Sequence, residues 1–270
     1  MALLSVKSMT HFFGGLRAVH SYNLEIEPGQ IFGLIGPNGA GKTTIFNLIT
    51  GIYTPSEGTV ELAGKNIVGM PPYKIASSGL GRTFQDLRLW RHMTVLEHIK
   101  MARYSKLTYG LMGTFFGTAE RERQETESES RAHELLSLLG IDHLHDQLVV
   151  NLPYGAQRRV EIARALALEP KILFLDEPTV GMTPEELVQI MAIIRKIHTQ
   201  FDLAIYLIEH RLKFVMELCQ QIQSLVFGEV IAEGDPQAIQ NDPQVIEAYL
   251  GKEAVKYTHL TLPTTSKPCR

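Results

Sequence analysis

The stretch Gly36-Pro37-Asn38-Gly39-Ala40-Gly41-Lys42-Thr43-Thr44 decides how this chain is read. It fits the pattern G-x-x-x-x-G-K-[ST], in which a glycine-rich loop offers its backbone N–H groups to an anion. The flanks agree with the loop. Ile31-Phe32-Gly33-Leu34-Ile35 is a short apolar run of buried-strand type, and Thr44 to Thr50 reads as a helix stopped by Gly51. Strand, glycine loop and helix in that order bring the positive helix end to a phosphate group. Lys42 would reach the β- and γ-phosphates of a nucleotide, and the Thr43 hydroxyl would ligate Mg²⁺.

A second apolar run, Lys171-Ile172-Leu173-Phe174-Leu175, ends in Asp176-Glu177-Pro178. A buried parallel strand releases its chain at the carboxyl end, where α/β sheets hold ligands. Two adjacent acids there suit a metal partner, Asp176, and a base for water, Glu177. Paired structural carboxylates are the competing reading, and the glycine loop weighs against it. Ala204-Ile205-Tyr206-Leu207-Ile208 is a further buried strand with Glu209-His210 at its end. A lone histidine there is usually packed or capping; beside a nucleotide, His210 could reach the γ-phosphate and the attacking water.

Residues 3 to 32 alternate in strand fashion, with Phe12-Phe13-Gly14-Gly15 and Ala18-Val19 read as lying between strands. Two readings of Phe13 stay open, a purine-stacking aromatic and a core phenylalanine. Pro55 to Gly58 is a turn, Thr59 to Leu62 a strand and Ala63 to Asn66 another turn, which suggests a small antiparallel sheet. Gln85 follows Phe84 in Gly81-Arg82-Thr83-Phe84-Gln85, and alone it means little. From Val95 to about Ala165 the composition turns helical. Thr94 and Glu97 form a capping box, as do Thr183 and Glu186, the latter with Pro184 at the first position of a helix expected to run to about His198. The apolar patch between Ser105 and Gly117 is either a face that meets a partner or a loop folded onto its own helices. Ala119 to Glu134, dense in both signs of charge, reads as a solvated helix face. Leu152-Pro153-Tyr154-Gly155-Ala156 opens a helix with Val160, Ala163 and Leu166 on its apolar side and Pro153 in its first turn, giving a second possible anion site. Ser224 to Phe227 and Val230 to Ala232 flank a turn at Gly228-Glu229, and Pro236 and Pro243 each open a short helix. Ala254 to Arg270 has no helical period and two prolines, and reads as disordered or foreign to the domain.

At 270 residues the chain is long enough for one large domain or a domain with a subdomain. It is 44% hydrophobic and 20% charged, ordinary for a soluble globular protein, and its net charge of −3 gives no basic field for nucleic acid. Two cysteines, Cys219 and Cys269, argue against a disulfide framework and fit a reducing cytosol. No run reaches the eighteen or so apolar residues that cross a bilayer, and the N-terminus does not read as a signal peptide. Work at a membrane would therefore need other chains as anchors.

Taken together, these motifs resemble the ATP-binding subunit of ABC transporters over roughly residues 3 to 252, and within it the LivG type found in branched-chain amino acid importers. Phe13-Gly14-Gly15-Leu16, Gly81 to Gln85, and Tyr154-Gly155 with Gln157-Arg158-Arg159 carry the closer likeness. The resemblance implies an α/β P-loop NTPase (RecA-like) core with an antiparallel β-subdomain and an inserted α-helical subdomain. It divides the chain into core residues 1–85 and 166–252, a helical signature subdomain at 86–165, and a tail at 253–270. It implies ATP and Mg²⁺ as cofactors. Phe13 and Val19 would lie near the base. Gly36, Pro37, Asn38, Gly39, Ala40, Gly41, Lys42, Thr43 and Thr44 would hold the phosphates. Thr43, Gln85 and Asp176 would serve the metal, and Glu177, His210 and Gln85 catalysis. Leu152, Tyr154 and Gly155 would cap the ATP of a second ATPase subunit, identical or paralogous, with Gly181 to Thr183 as the D-loop. The implied partners are transmembrane permease subunits at the cytoplasmic face of the membrane and, indirectly, a solute-binding protein outside. Two departures from the family pattern stand out: Pro153 replaces the signature serine, and Thr183 replaces the D-loop aspartate. Competing functions are a soluble non-transport ABC ATPase, a nucleotide-binding regulator without turnover, and an importer ATPase for urea, amides or another solute.

Overall fold

The computed structural model describes residues 2–107 and 119–250. The apolar patch after Ser105 lies mostly outside the described residues, and the tail lies wholly outside them.

In chain order the strands are β1 (Leu4–Phe13), β2 (Leu16–Ile26), β3 (Ile31–Ile35), β4 (Glu57–Leu62), β5 (Lys65–Asn66), β6 (Leu80–Arg82), β7 (Ile172–Asp176), β8 (Ala204–Ile208), β9 (Gln221–Val226) and β10 (Glu229–Gly234). The α-helices are α1 (Lys42–Ile49), α2 (Pro72–Ser77), α3 (Val95–Arg103), α4 (Ala119–Leu138), α5 (Tyr154–Leu166), α6 (Pro184–Phe201), α7 (Leu212–Leu218), α8 (Pro236–Asn241) and α9 (Pro243–Leu250). The strands form two sheets. One is antiparallel in the order β2-β1-β4-β5, and the other runs β10-β9-β3-β8-β7-β6. In the second, β3 pairs in parallel with both β8 and β9, and β7 with β8 and β6, so the strand before the glycine loop sits inside the sheet.

The five residues of β3, of β7 and of β8 are all buried, as continuous apolar runs require when both faces of a sheet are covered. Successive side chains point to opposite faces. Phe32, Leu34, Phe174, Tyr206 and Ile208 pack with α1 and the antiparallel sheet. Ile31, Ile35, Leu173, Leu175, Ile205 and Leu207 pack with α3, α4, α5 and α6. Both capping boxes are formed: Thr94 Oγ1 accepts from Glu97 N and Thr183 Oγ1 from Glu186 N, with each glutamate returning the bond.

Four sequence expectations shift. Phe12, Phe13, Ala18 and Val19 are not between strands but in β1 and β2; Phe13 pairs with Leu16 across a turn of Gly14-Gly15 alone, with Gly14 at φ 58°. The β9–β10 turn is Phe227-Gly228, both left-handed at φ 48° and 80°, and Glu229 already pairs with Val226. Pro153 is the residue before α5 rather than part of its first turn; its φ of −57° suits either place, but ψ 152° is extended. Helix α6 continues to Phe201, a turn beyond the expected His198, and ends at Asp202 with φ 47°.

Candidate active site: a phosphate-binding loop facing two carboxylates

Leaving β3, the chain turns at Gly36 with φ 151°, where a Cβ would lie 2.2 Å from the main-chain oxygen of Leu225. No side chain fits that approach. The loop is fastened from several sides. Gly36 N–H donates to the Tyr249 hydroxyl at 2.7 Å, and Gly228 N–H donates to Ala40 O at 2.8 Å. Gly41, at φ 105°, precedes α1, whose first residue is Lys42. The Lys42 ammonium is buried and donates to Gly36 O at 2.7 Å and Pro37 O at 3.0 Å. Burial lowers its pKa, while the carboxylates of Glu177 and Asp176 act the other way.

The loop forms one wall of a cavity of ≈ 750 Å³. Residues Asn38 to Thr44 line it together with Gln85, Glu177 and His210, and with Phe13, Arg17, Ala18 and Phe227. Gln85 Nε2 donates to Glu177 Oε2 at 3.0 Å, so two residues 92 positions apart meet at the cavity. Glu177 has left-handed backbone, φ 46°, and its N–H donates to Ile208 O at 3.0 Å, which turns the chain sharply as it leaves β7. The His210 ring is about half exposed. Its main-chain N–H donates to Glu209 Oε2 at 3.1 Å, and Glu209 Oε1 accepts from both N–H and hydroxyl of Thr179. Sequence reasoning gave Glu209 no role. It is fully buried and ties the end of β8 to the segment after Glu177.

Asp176 is 1% exposed. Its Oδ2 accepts from Arg82 Nη2 at 3.0 Å, and Arg82 Nη1 donates to Asn47 Oδ1 in the last turn of α1 and to Thr50 Oγ1 just after it. Burial raises the Asp176 pKa, opposed by Arg82. The other oxygen, Oδ1, is buried with no hydrogen-bond partner. A buried carboxylate oxygen without a partner is costly in isolation and fits a hydrated divalent cation. With the exposed Thr43 hydroxyl beside the loop and the Gln85 amide at the cavity, the residues present fit Mg²⁺.

Phe13 is 43% exposed, edge-on to His11 and Tyr53, and lines the cavity. Phe227, 87% exposed on the β9–β10 turn, lines it too and was missed because that turn was placed one residue late. Val19 is fully buried in the apolar cluster under α1, and the adjacent Ala18 lines the cavity.

The family model described as "ABC transporter" matches residues 19–180 of this chain. The chain belongs to the ABC transporter ATP-binding family. A second model, described as "Branched-chain amino acid ATP-binding cassette transporter", matches residues 229–255 of this ABC ATPase. It is 42% identical over 250 residues to the high-affinity branched-chain amino acid transport ATP-binding protein LivG of Escherichia coli (strain K12), covering 93% of this chain and 98% of that one. The crystal structure of a nucleotide-free ATP-binding cassette from an ABC transporter superposes with a TM-score of 0.81 at 30% identity, over 93% of this chain and all of that one. A dimeric cassette in a post-hydrolysis state with ADP and Pi superposes with a TM-score of 0.73 at 25% identity, over 86% and 98%. This ABC ATPase has no helix among its described residues long and apolar enough to cross a membrane.

Leu152, Tyr154 and Gly155, expected to cap the ATP of a second subunit, do not line the cavity beside the glycine loop of their own chain. Leu152 is buried, Tyr154 is 38% exposed and Gly155 is buried at the start of α5. A Cβ on Gly155 would meet Glu186 Oε1 at 2.5 Å, and the Tyr154 ring packs on Gly181, so the signature and D-loop stretches touch each other. One turn on, Arg158 donates to Phe84 O at 2.6 Å, Gln85 O at 3.0 Å and Glu161 Oε2 at 2.7 Å, while Phe84 N–H donates to Glu161 Oε1 at 2.9 Å. The signature helix is thereby wired to the main chain of the glutamine that reaches Glu177. Arg158 entered the sequence reading only as family wording; a charged pair on an apolar helix face was the available signal.

Proposed function

We propose that this ATPase powers import of branched-chain amino acids from the cytoplasmic face of a membrane, through permease subunits that carry the solute. The observation that carries the catalytic part is the Gln85–Glu177 bond within the cavity walled by Lys42 and its loop. The match over residues 229–255 and the likeness to LivG support the solute class.

In this reading ATP lies with its phosphates on the N–H groups of Asn38 to Thr44 and its base against Phe13. Lys42 exchanges its loop carbonyls for phosphate oxygens, which suits an ammonium already stripped of water. Thr43, Gln85 and, through water, Asp176 would hold Mg²⁺, which would supply neutralisation of phosphate charge. Glu177 accepts a proton from the attacking water, Gln85 fixes the rotamer of that carboxylate, and His210 donates to the γ-phosphate oxygens. Leu152, Tyr154 and Gly155 of a second subunit close the site; without the signature hydroxyl, the Tyr154 and Gly155 N–H groups at the start of α5 supply the anion contact. The division into residues 1–85 with 166–252 and 86–165 then separates the phosphate-binding part from the part that faces the partner. A solute-binding protein would deliver cargo outside without touching this chain.

Replacing Glu177 by glutamine tests the chemistry. Turnover should fall by about 10²–10⁴-fold with ATP affinity retained, read by phosphate release and equilibrium ATP binding. Unchanged turnover would remove Glu177 as the base. Failure to recover permease chains from solubilised membranes with the tagged protein would count against transport.

A further inference from the structure

Away from the nucleotide cavity, three metal-binding side chains converge where α4 ends. His133 lies in the last turns of α4, and Asp142 and His145 lie on the short helical turn that follows. One ligand atom from each falls within 4.8 Å of the others, the only such cluster among the described residues. His133 Nδ1 is 2.7 Å from Asp142 Oδ1, and the two imidazole rings stand edge to face at 5.1 Å. Each of the three side chains is about one-third exposed, so a cation in solution can reach them.

The tautomer of His145 is set by its neighbours. Its Nδ1 is 2.7 Å from the main-chain oxygen of Asp142, which can only accept, so Nδ1 carries the hydrogen. In the neutral ring Nε2 is then a lone pair. Nε2 lies 3.0 Å from Asp146 Oδ2, another acceptor. Two acceptors at that distance repel unless a proton or a metal ion sits between them. An imidazole anchored through one nitrogen to a carbonyl, with the other free, is the usual arrangement of a metal-ligating histidine.

We propose that His133, Asp142 and His145, with Asp146 alongside, bind a zinc-class divalent ion that pins the end of α4 to the loop leading into the signature helix. Two nitrogens and a carboxylate suit Zn²⁺ with water completing a tetrahedron. Ligand atoms around such an ion stand roughly 3.3 Å apart, so His133 and Asp142 open by about half an ångström when the ion replaces their shared proton. The same loop is stitched to α3: Leu96 N–H donates to His145 O, Val95 N–H to Gln147 O, and Val149 N–H to Met93 O. Fixing His145 therefore holds both the entry of α3 and the approach to Leu152.

The test uses the full chain without an affinity tag, stripped with chelator and free of nucleotide. Zn²⁺ is titrated against a chromophoric competitor, and Co²⁺ is followed by its visible absorption. One equivalent should bind, with Co²⁺ bands of the intensity given by four- or five-coordinate nitrogen and oxygen ligands. His133→Ala, Asp142→Asn and His145→Ala should each weaken binding by about tenfold or more. His143→Ala, an exposed histidine on the same turn outside the cluster, should not. Zn²⁺ should also raise the melting temperature of wild type and not of His145→Ala. Absence of saturable binding, or affinity indifferent to the three substitutions, overturns the proposal. Should the alanine variants fail to fold, a weak octahedral aqua spectrum for Co²⁺ with wild type overturns it equally, and intense bands lost in His145→Gln uphold it.

Discussion

Replacing Arg158 by methionine keeps most of the stem and removes the charge from a site that is fully buried. The guanidinium donates to Glu161, to the main-chain oxygens of Phe84 and Gln85, and to the Tyr154 hydroxyl. Removing one member of a buried pair costs about 3–5 kcal/mol, because the Glu161 carboxylate is left without compensation. That is a large share of the roughly 5–15 kcal/mol by which a folded protein exceeds its unfolded state. Substituting both partners, Arg158→Met with Glu161→Leu, removes the stranded charge; the Phe84 and Gln85 carbonyls and the Tyr154 hydroxyl lose Arg158 in either variant, and the double alone also takes the Glu161 acceptor from Phe84 N–H, about 1–3 kcal/mol. The double variant should thus be more stable than the single by about 2 kcal/mol. Burial already raises the Glu161 pKa, with Arg158 the main opposing influence. Without Arg158 it rises further, so the folded single variant takes up a proton at a pH where the unfolded chain does not. Its deficit should be largest above neutrality and shrink as pH falls toward the unfolded value of 4.5. Urea unfolding of the three proteins between pH 5 and 8 measures all of this. A single variant within about 1 kcal/mol of wild type, or a double variant less stable than the single, would refute the reasoning. Turnover should fall in both, since the Gln85 main chain loses its anchor.

Other expectations are read from single contacts. Gly36→Ala forces a Cβ into the Leu225 carbonyl and should lower stability by at least about 2 kcal/mol. At Gly39, φ 79° with open space around the Cβ position, alanine should cost only the about 1–2 kcal/mol of the left-handed backbone; equal melting points for the two variants would be the contrary result. Tyr249→Phe leaves the Gly36 N–H without its acceptor and should cost about 1–2 kcal/mol. Burial pushes the Tyr249 hydroxyl up to about 12, so wild type should lose stability relative to this variant as pH climbs from 10 to 12, and not below 10. Thr183→Ala removes the N-cap of α6 and should lower stability by about 1 kcal/mol in thermal denaturation, as Thr94→Ala should for α3.

The parts of the site legible in the sequence are those whose meaning is local. The glycine loop has a fixed spacing, and β3, β7 and β8 are buried five-residue strands, apolar up to Asp176 at the end of β7, whose ends deliver Gly36, Asp176 and Glu209 to one edge. Capping boxes announce themselves within four residues. Partnerships across the chain leave no such trace. Tyr249 meets Gly36 over a separation of 213 residues, and Arg158 meets Gln85 over 73. A buried arginine looks the same in sequence as an exposed one. Val19 was expected near the base, and it is Ala18 that lines the cavity while Val19 is core, because the side-chain period of a strand is two and a step of one residue exchanges core for cavity. Phe227 escaped for the same reason at the other hairpin.

The six-stranded sheet divides the apolar interior into two sets of side chains, with alternate residues of β3, β7 and β8 assigned to each. Helices α3 to α6 draw on one set, and α1 with the antiparallel sheet on the other. A change of volume at Leu173 is therefore felt by helices, and the same change at Phe174 by the loop helix and its neighbours. Compensating substitutions can arise only among residues that share a side. The helical side can therefore be repacked, tooth by tooth, while the bed beneath the glycine loop keeps its fit.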